Sequence, residues 1–495
     1  MLACWGVNVE PAAGVIRLLA YRRNNTDEIA KDFHCMGNQH HDIVVVGGGS
    51  AGYAASRTAR EAGADTAIVD QGPLGGLCIL RGCMPSKAIL RSSEVMSLMG
   101  RAAEFGLLPV EPRADLAAII ERKERLIREF ADYRIEQLRD PGFTLYEDRA
   151  VFLSPEELKV GDRVLTASSF IISTGSVPRH VPIPGLDEVG YLTSDEILDL
   201  RERPESMIVL GGGAVALELA QFFCRIGTQV TLIQRSHHIL SDGDEDLARP
   251  VEDCFREEGM EVLTGTQLHR FTSEDGMRVA HLTHAGEEKS PSAQIILQAL
   301  GRRPNIDGLG LDKAGVAVSD QLVVVDEEMR TSQAHIFAVG DVNARNEIVH
   351  IAIQQGEMAG YNATHPGRPA HRMDDRLNLQ VTFTDPVVAT LGYSEKQCQA
   401  QDTPYLVACY PFADHGKAMC LGEIHGCVKL ICQPRTGELV GAHIVGPEAG
   451  ELIHELAAVM YYHGNVRDLL QIPHYHPTLA EIITYPAEQL CEQLE

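Results

Sequence analysis

The chain has 495 residues, more than one hydrophobic core usually serves, so two or more domains are expected. Its 43 Lys and Arg against 69 Asp and Glu leave a formal charge of -26, which repels nucleic acid and anionic membrane surfaces. No apolar run reaches the roughly 18 residues of a membrane-spanning helix, so that class is excluded as well.

The first stretch, residues 1–40, reads as an N-terminal extension that need not be ordered. Met1-Leu-Ala-Cys4 superficially looks like a lipoprotein cleavage site, but no basic or apolar region precedes the cysteine. Met36 stands just ahead of the first strand, and the segment before it reads as dispensable.

From His41 the pattern becomes decisive. The β-branched strand His41–Val46 runs into Gly47-Gly-Gly49-Ser-Ala-Gly52, and a helical pattern follows from Tyr53 to Ala62. In a dinucleotide fold these glycines make a tight turn, admit the pyrophosphate to the backbone and pack helix on strand, with phosphate at the helix N-terminus. A second strand, Thr66–Val69, ends in Asp70, an acid 23 residues after Gly47 (70 minus 47) and suited to ribose hydroxyls.

Next comes Gly75-Gly76-Leu77-Cys78-Ile-Leu-Arg-Gly82-Cys83-Met84-Pro85-Ser86-Lys87, two cysteines five apart among glycines, a proline and a lysine. The glycine pattern then returns at Met207-Ile-Val-Leu-Gly211-Gly-Gly213-Ala-Val-Ala216-Leu-Glu218, with Ala216 in the third glycine's place, implying a second dinucleotide site. Its second strand, Gln229–Ile233, leads not into an acid but into Gln234-Arg235-Ser236-His237-His238. Arg235, with His237, suits a ribose 2′-phosphate, which favours NADPH over NADH.

Twelve cysteines in so long a chain are too dilute for a disulfide scaffold. Most, among them Cys224, Cys409 and Cys432, read as isolated core residues of a protein in a reducing, cytoplasmic compartment. No metal site is expected.

The Cys78–Cys83 segment closely resembles the redox-active run of the class I pyridine nucleotide-disulfide oxidoreductases, the group of dihydrolipoamide dehydrogenase, glutathione reductase and mercuric reductase. The resemblance extends from about residue 41 to 485 through Ile172-Ser-Thr174-Gly175-Ser-Val-Pro178, Ala299-Leu-Gly301-Arg-Arg-Pro-Asn305, Ala338-Val-Gly340-Asp341, Phe383-Thr-Asp-Pro386, Gly441–Glu451 and His474-Tyr475-His476-Pro477-Thr478-Leu479-Ala480-Glu481. It implies an α/β fold with two Rossmann-like dinucleotide-binding domains and a C-terminal α+β dimerisation domain. The implied division is residues 41–185 and 306–372 for FAD, 186–305 for NAD(P), and 373–495 for dimerisation.

By the same resemblance Cys78 is the thiol that meets substrate and Cys83 the one beside the flavin. Residues 83–87 lead into a helix, whose N-terminal amides would favour a thiolate. Lys87 would sit near the flavin and pair with Glu218. His476 would be the acid/base, oriented by Glu481 and supplied by the partner subunit of a homodimer. Gly76, Thr174, Gly175, Gly301 and Asp341 fall at cofactor contacts. The implied activity is electron transfer from NAD(P)H through FAD and the cysteine pair to a small disulfide, or dithiol oxidation in reverse.

The wording divides on substrate. Ala214, where relatives often carry a gating tyrosine, and Phe383-Thr-Asp-Pro386 are mercuric-reductase-like. His476 is kept and Cys491 stands single, whereas a soft-ion relay wants paired thiolates. A metal-ion reductase and a flavoprotein docked in a larger dehydrogenase complex remain the alternatives.

Overall fold

The computed structural model of the protein describes residues 39–494, so the reading of residues 1–38 lies outside the described residues. The first strand, Gln39–Val46, begins two residues ahead of His41, because Gln39 and His40 continue the parallel ladder with Leu165 and Thr166. Its neighbours are Thr66–Val69 on one side and Arg163–Ile172 on the other, both parallel to it. The sheet reaches seven strands when Ile336–Ala338, far along the chain, pairs in parallel with Arg163–Ile172. The chain therefore leaves this first layer and returns to complete it. Val44, Val45, Ile68 and Ile171 are fully buried, the continuous apolar run that a two-sided parallel sheet requires.

The excursion builds a second parallel sheet of four strands, ordered Glu261–Leu263, Gln229–Ile233, Ser206–Leu210 and Ile295–Gln298. The helix Ala214–Arg225 covers it with Leu217, Leu219, Phe222 and Phe223 fully or nearly fully buried. Each such side chain contributes about 1.5–3 kcal/mol relative to exposure. The C-terminal layer is a five-stranded antiparallel sheet, ordered Leu379–Thr382, Val387–Gly392, Leu439–Gly446, Cys427–Cys432 and Leu406–Pro411. The helices Ala449–Tyr461 and Thr484–Gln493 bury Ile453, Leu456, Ala487 and Leu490 in one core with this sheet. The architecture is α/β with two Rossmann-like layers and an α+β C-terminal layer.

Polar ties fasten the second sheet's helix to the antiparallel layer. Gln221 donates to Asp385 O at 2.8 Å and accepts from Asp385 N at 2.8 Å. Arg225, nearly buried, bridges Glu258 at 2.5 Å and Asp385 at 2.6 Å. Burial opposes its charge, but the hydrogen bonds and the two carboxylates hold the guanidinium's pKa above its ordinary value.

The cysteines depart from the sequence reading at one place. Cys432 is buried and Cys224 half-buried, but Cys409 is exposed and not isolated. Its strand neighbour is Lys429, and Cys427, two residues earlier, lies diagonally across on the same face. The two thiols are hydrogen-bonded to each other. Strand alternation, invisible until the register is known, turns Cys409 outward while Ala408 is buried.

Candidate active site

The first glycine turn is built by close approach. A Cβ on Gly52 would lie 1.8 Å from Gly47 O, so the third glycine is a steric requirement. In the second turn Ala216 fits, its own Cβ standing 3.6 Å from the position a Cβ on Gly211 would take. Both turns open helices, Ser50–Glu61 and Ala214–Arg225, whose first turns receive no side-chain cap. Those uncapped amide ends suit pyrophosphate. Gly76 has φ +78°, and a Cβ there would meet Gly49 Cα at 2.7 Å, so the cysteine segment lies directly against the first turn.

Cys78 sits in the short helix Leu77–Leu80, and Cys83 is the first residue of the long helix Cys83–Gly100. Gly82 links them by folding close over Cys78, where a Cβ would be 3.2 Å from Cys78 Cα. Both cysteines are half-buried, and their thiols are hydrogen-bonded. That hydrogen bond from Cys78 is the main reason the Cys83 thiol is held down to about 7; burial opposes it and Lys87 assists. The same bond, then burial, then the Cys83 charge push Cys78 up. The pair therefore keeps its thiolate on Cys83, at an uncapped helix N-terminus, and its proton on Cys78.

Lys87, one turn along that helix, donates to Glu218 at 2.8 and 3.0 Å and lies 4.4 Å from the centre of the Phe383 ring. Glu218 is almost wholly buried in its helix and also accepts from Phe383 N at 3.0 Å. Three segments thus converge on one ion pair: the cysteine helix, the second nucleotide fold and the C-terminal layer.

His476 and Glu481 form a separate cluster, and none of their hydrogen bonds reaches the cysteine segment of the same chain. His476 Nδ1 lies 3.0 and 3.2 Å from the Glu481 oxygens, and Thr478 N also donates to Glu481 at 3.2 Å. Although burial opposes it, the hydrogen bond from His476 keeps the Glu481 carboxyl below its ordinary range. With the carboxylate on Nδ1–H, Nε2 is left as the basic atom, on a side chain 82% exposed. Its chain neighbour Tyr475 is exposed too, as are Leu470 and Ile472, which line the same cleft as His476 and Glu481.

The cofactor positions fit a flavin dinucleotide. Thr174 Oγ1 is buried without a hydrogen-bond partner, beside Gly175, whose Cα faces open space at φ +71°. Asp341 accepts from Ser176 Oγ at 2.7 Å, and Arg302 fixes that serine through 2.9 and 3.0 Å bonds. Asp70 already accepts from Gly48 N and Gly72 N, each at 2.7 Å, so it shapes the turn as well as facing it. In the second fold Gly213 and Gly301 face open space. Arg235 and His237 are exposed, and Arg235 forms no ion pair among the described residues.

Sequence reasoning missed two residues here. Arg134, on the helix Leu116–Leu138, stacks 4.4 Å over Tyr53 with Nε and Nη1 buried and unpartnered, and that burial lowers its pKa. Nothing distinguishes it in sequence from the other arginines of that helix. His415 is fully buried, 3.7 Å from Glu481 and edge-on to Tyr485; burial lowers its pKa, so it backs Glu481 as a neutral ring. No motif marks it.

Comparison with known proteins gives matches over most of this architecture. Residues 41–356 match the family described as pyridine nucleotide-disulphide oxidoreductase, and residues 379–487 match its dimerisation domain. The chain is 32% identical over 456 residues to mercuric reductase of Staphylococcus aureus, covering 92% of this chain and 83% of that protein. It is 33% identical over 452 residues to dihydrolipoyl dehydrogenase of Chlamydia muridarum, covering 90% and 96%. The crystal structure of LpdA from Mycobacterium tuberculosis superposes with a TM-score of 0.81 at 26% identity, covering 91% of this chain and 99% of that one.

Proposed function

The chain belongs to the pyridine nucleotide-disulphide oxidoreductase family, and from that premise we propose that it is an NADPH-dependent reductase of a small disulfide. Membership makes it a flavoprotein oxidoreductase, and the dimerisation domain supports a homodimer. The net reaction is NADPH + H⁺ + RSSR → NADP⁺ + 2 RSH, reversible when potential and supply favour dithiol oxidation. The observation that carries the reading is the placement of Cys78 and Cys83 at the start of one long helix, with Lys87 one turn along held by the buried carboxylate of Glu218.

FAD, when bound, supplies two-electron exchange between the nucleotide and this pair; Gly47, Gly49, Gly52, Asp70, Thr174, Gly175 and Asp341 would hold it. Arg235 and His237 would receive the 2′-phosphate beside the Gly211–Gly213 turn. In the reduced pair Cys78 carries the proton, so its attack on a disulfide requires a base. His476 of the partner subunit takes that proton at Nε2, with Glu481 holding the ring. Cys78 then bonds one substrate sulfur and the first thiol leaves, taking the proton back from His476. The Cys83 thiolate attacks Cys78, re-forming the Cys78–Cys83 disulfide and expelling the second substrate sulfur as a thiolate, which takes up from solvent the H⁺ of the net equation. Lys87 lowers the charge cost of the Cys83 thiolate throughout, and Glu218 positions Lys87.

Two measurements test this. Anaerobic reduction of the purified flavoprotein should release two new titratable thiols per chain, absent from Cys78→Ser; no release sinks the scheme. A steady-state panel of NADPH and NADH against lipoamide, oxidised glutathione and Hg(II) then assigns the acceptor. Turnover with Hg(II) alone would favour the metal-ion reductase reading, which the 32% identity to a mercuric reductase keeps in view.

A further inference from the structure

A set of metal-ligand atoms lies apart from the redox pair and its bases. The helix Glu245–Glu257 carries Cys254 and Glu257 three residues apart, hence neighbours on one face. His425 approaches that face from the turn ahead of the strand Cys427–Cys432. One ligand atom from each of Cys254, Glu257 and His425 lies within 4.8 Å of the other two, and His425 Nε2 is 3.6 Å from Glu257 Oε2.

A tetrahedral zinc ion with bonds of about 2.0–2.3 Å separates its ligand atoms by roughly 3.3–3.6 Å. The His–Glu edge already has that length, and the others close by at most about 1.2 Å (4.8 minus 3.6). Cys254 is fixed in the core, but Glu257 and His425 are 65% and 43% exposed and free to make that movement. Glu257 already pairs with His425, so a carboxylate charge stands at the site to meet a cation. A thiol, an imidazole and a carboxylate together select a borderline ion such as Zn(II) over Mg(II) or Ca(II).

We propose that Cys254, Glu257 and His425 bind one zinc-type divalent cation, with water in the fourth position, fastening the nucleotide-fold helix to the antiparallel sheet. Binding releases one proton: Cys254–SH + M²⁺ → Cys254–S–M⁺ + H⁺. No step of the disulfide chemistry uses these three residues, so the site acts on the seating of one layer against another.

The test is Co(II) titration of the chelator-treated, FAD-loaded, full-length protein in a Cys78→Ser/Cys83→Ser background, which removes the competing dithiol. One Co(II) per chain is expected, with a thiolate-to-cobalt charge-transfer band and tetrahedral d–d absorption. Cys254→Ser should abolish the charge-transfer band. His425→Ala and Glu257→Ala, both at partly exposed positions that spare the core, should each weaken binding by about tenfold or more. Cys409→Ser/Cys427→Ser should leave the band intact, and Zn(II) should raise the Tm of the parent by more than that of His425→Ala. The proposal is overturned if no band forms, or if it persists undiminished in His425→Ala and Glu257→Ala.

Discussion

Replacing Lys87 tests the electrostatics of the redox pair most directly. Cys83 is held from an ordinary 9.0 down to about 7, a thiolate preference of about 3 kcal/mol. The Cys78 hydrogen bond is the largest contribution, so Lys87 supplies a smaller share, at the low end of the roughly 1–3 pH units that a nearby opposite charge provides. Lys87→Met should therefore raise the Cys83 midpoint by about one pH unit, cutting the thiolate at pH ~7 from about half to about a tenth. Because the Cys83 pKa is depressed, the thiolate is fully present above the ordinary value and is lost as pH falls through about 7; the variant loses it earlier on the way down. Glu218 pushes the Cys83 pKa the other way, so Glu218→Gln should lower the midpoint. Lys87→Met also leaves Glu218 buried with only the Phe383 amide as donor, costing about 3 kcal/mol of stability. The assay is a pH titration of the thiolate-dependent long-wavelength absorption in the two-electron-reduced holoenzyme. Shifts of the same sign in the two variants, or none in either, would refute the reasoning.

Three further outcomes follow from other parts of the molecule. His476→Gln should cut disulfide turnover by about 10²-fold or more while flavin reduction by nucleotide persists; unchanged turnover would remove His476 from the mechanism. Arg235→Ala should raise the KM for NADPH by about tenfold or more, through loss of one charge-assisted contact of ~1.5–3 kcal/mol, and leave that for NADH unchanged. Wild-type preference for NADH would contradict the 2′-phosphate assignment. The hydrogen bond from Cys427 lowers the pKa of exposed Cys409, while that of Cys427 is raised. Alkylation with mass-spectrometric mapping near neutral pH should therefore modify Cys409 ahead of Cys427, and Cys427→Ala should slow it.

Much of the fold was legible because its signals are local. Ile43-Val-Val-Val46 is β-branched and ends in glycines whose spacing is dictated by a 1.8 Å clash at Gly52, so strand, turn and helix are written in consecutive residues. Ala216 in the second turn is legible for the same reason: that turn leaves room for a methyl group. What adjacency does not encode is register. The return of Ile336–Ala338 to the first sheet and the outward face of Cys409 both depend on which residue of a distant strand stands opposite. A cysteine between alanine and tyrosine carries no local sign of the side on which it falls.

The site divides along the same line, and the division has a physical cause. Cys78, Cys83 and Lys87 are close in sequence because one helix start must furnish both a stabilised thiolate and a nearby cation, so their spacing is readable. Arg134 and His415 act through burial, which is a property of the completed packing. Arg134 has its Nε and Nη1 enclosed on a helix whose other arginines face solvent, and His415 is enclosed behind Glu481. Glu218 lies between these cases. A carboxylate among Leu217, Leu219, Phe222 and Phe223 breaks the apolar pattern of its helix, and burying it uncompensated would cost several kcal/mol, so the sequence itself demands a cation. Only the folded chain shows that the Phe383 amide shares the carboxylate with Lys87. That shared bond makes the charge beside Cys83 depend on how the C-terminal layer is seated.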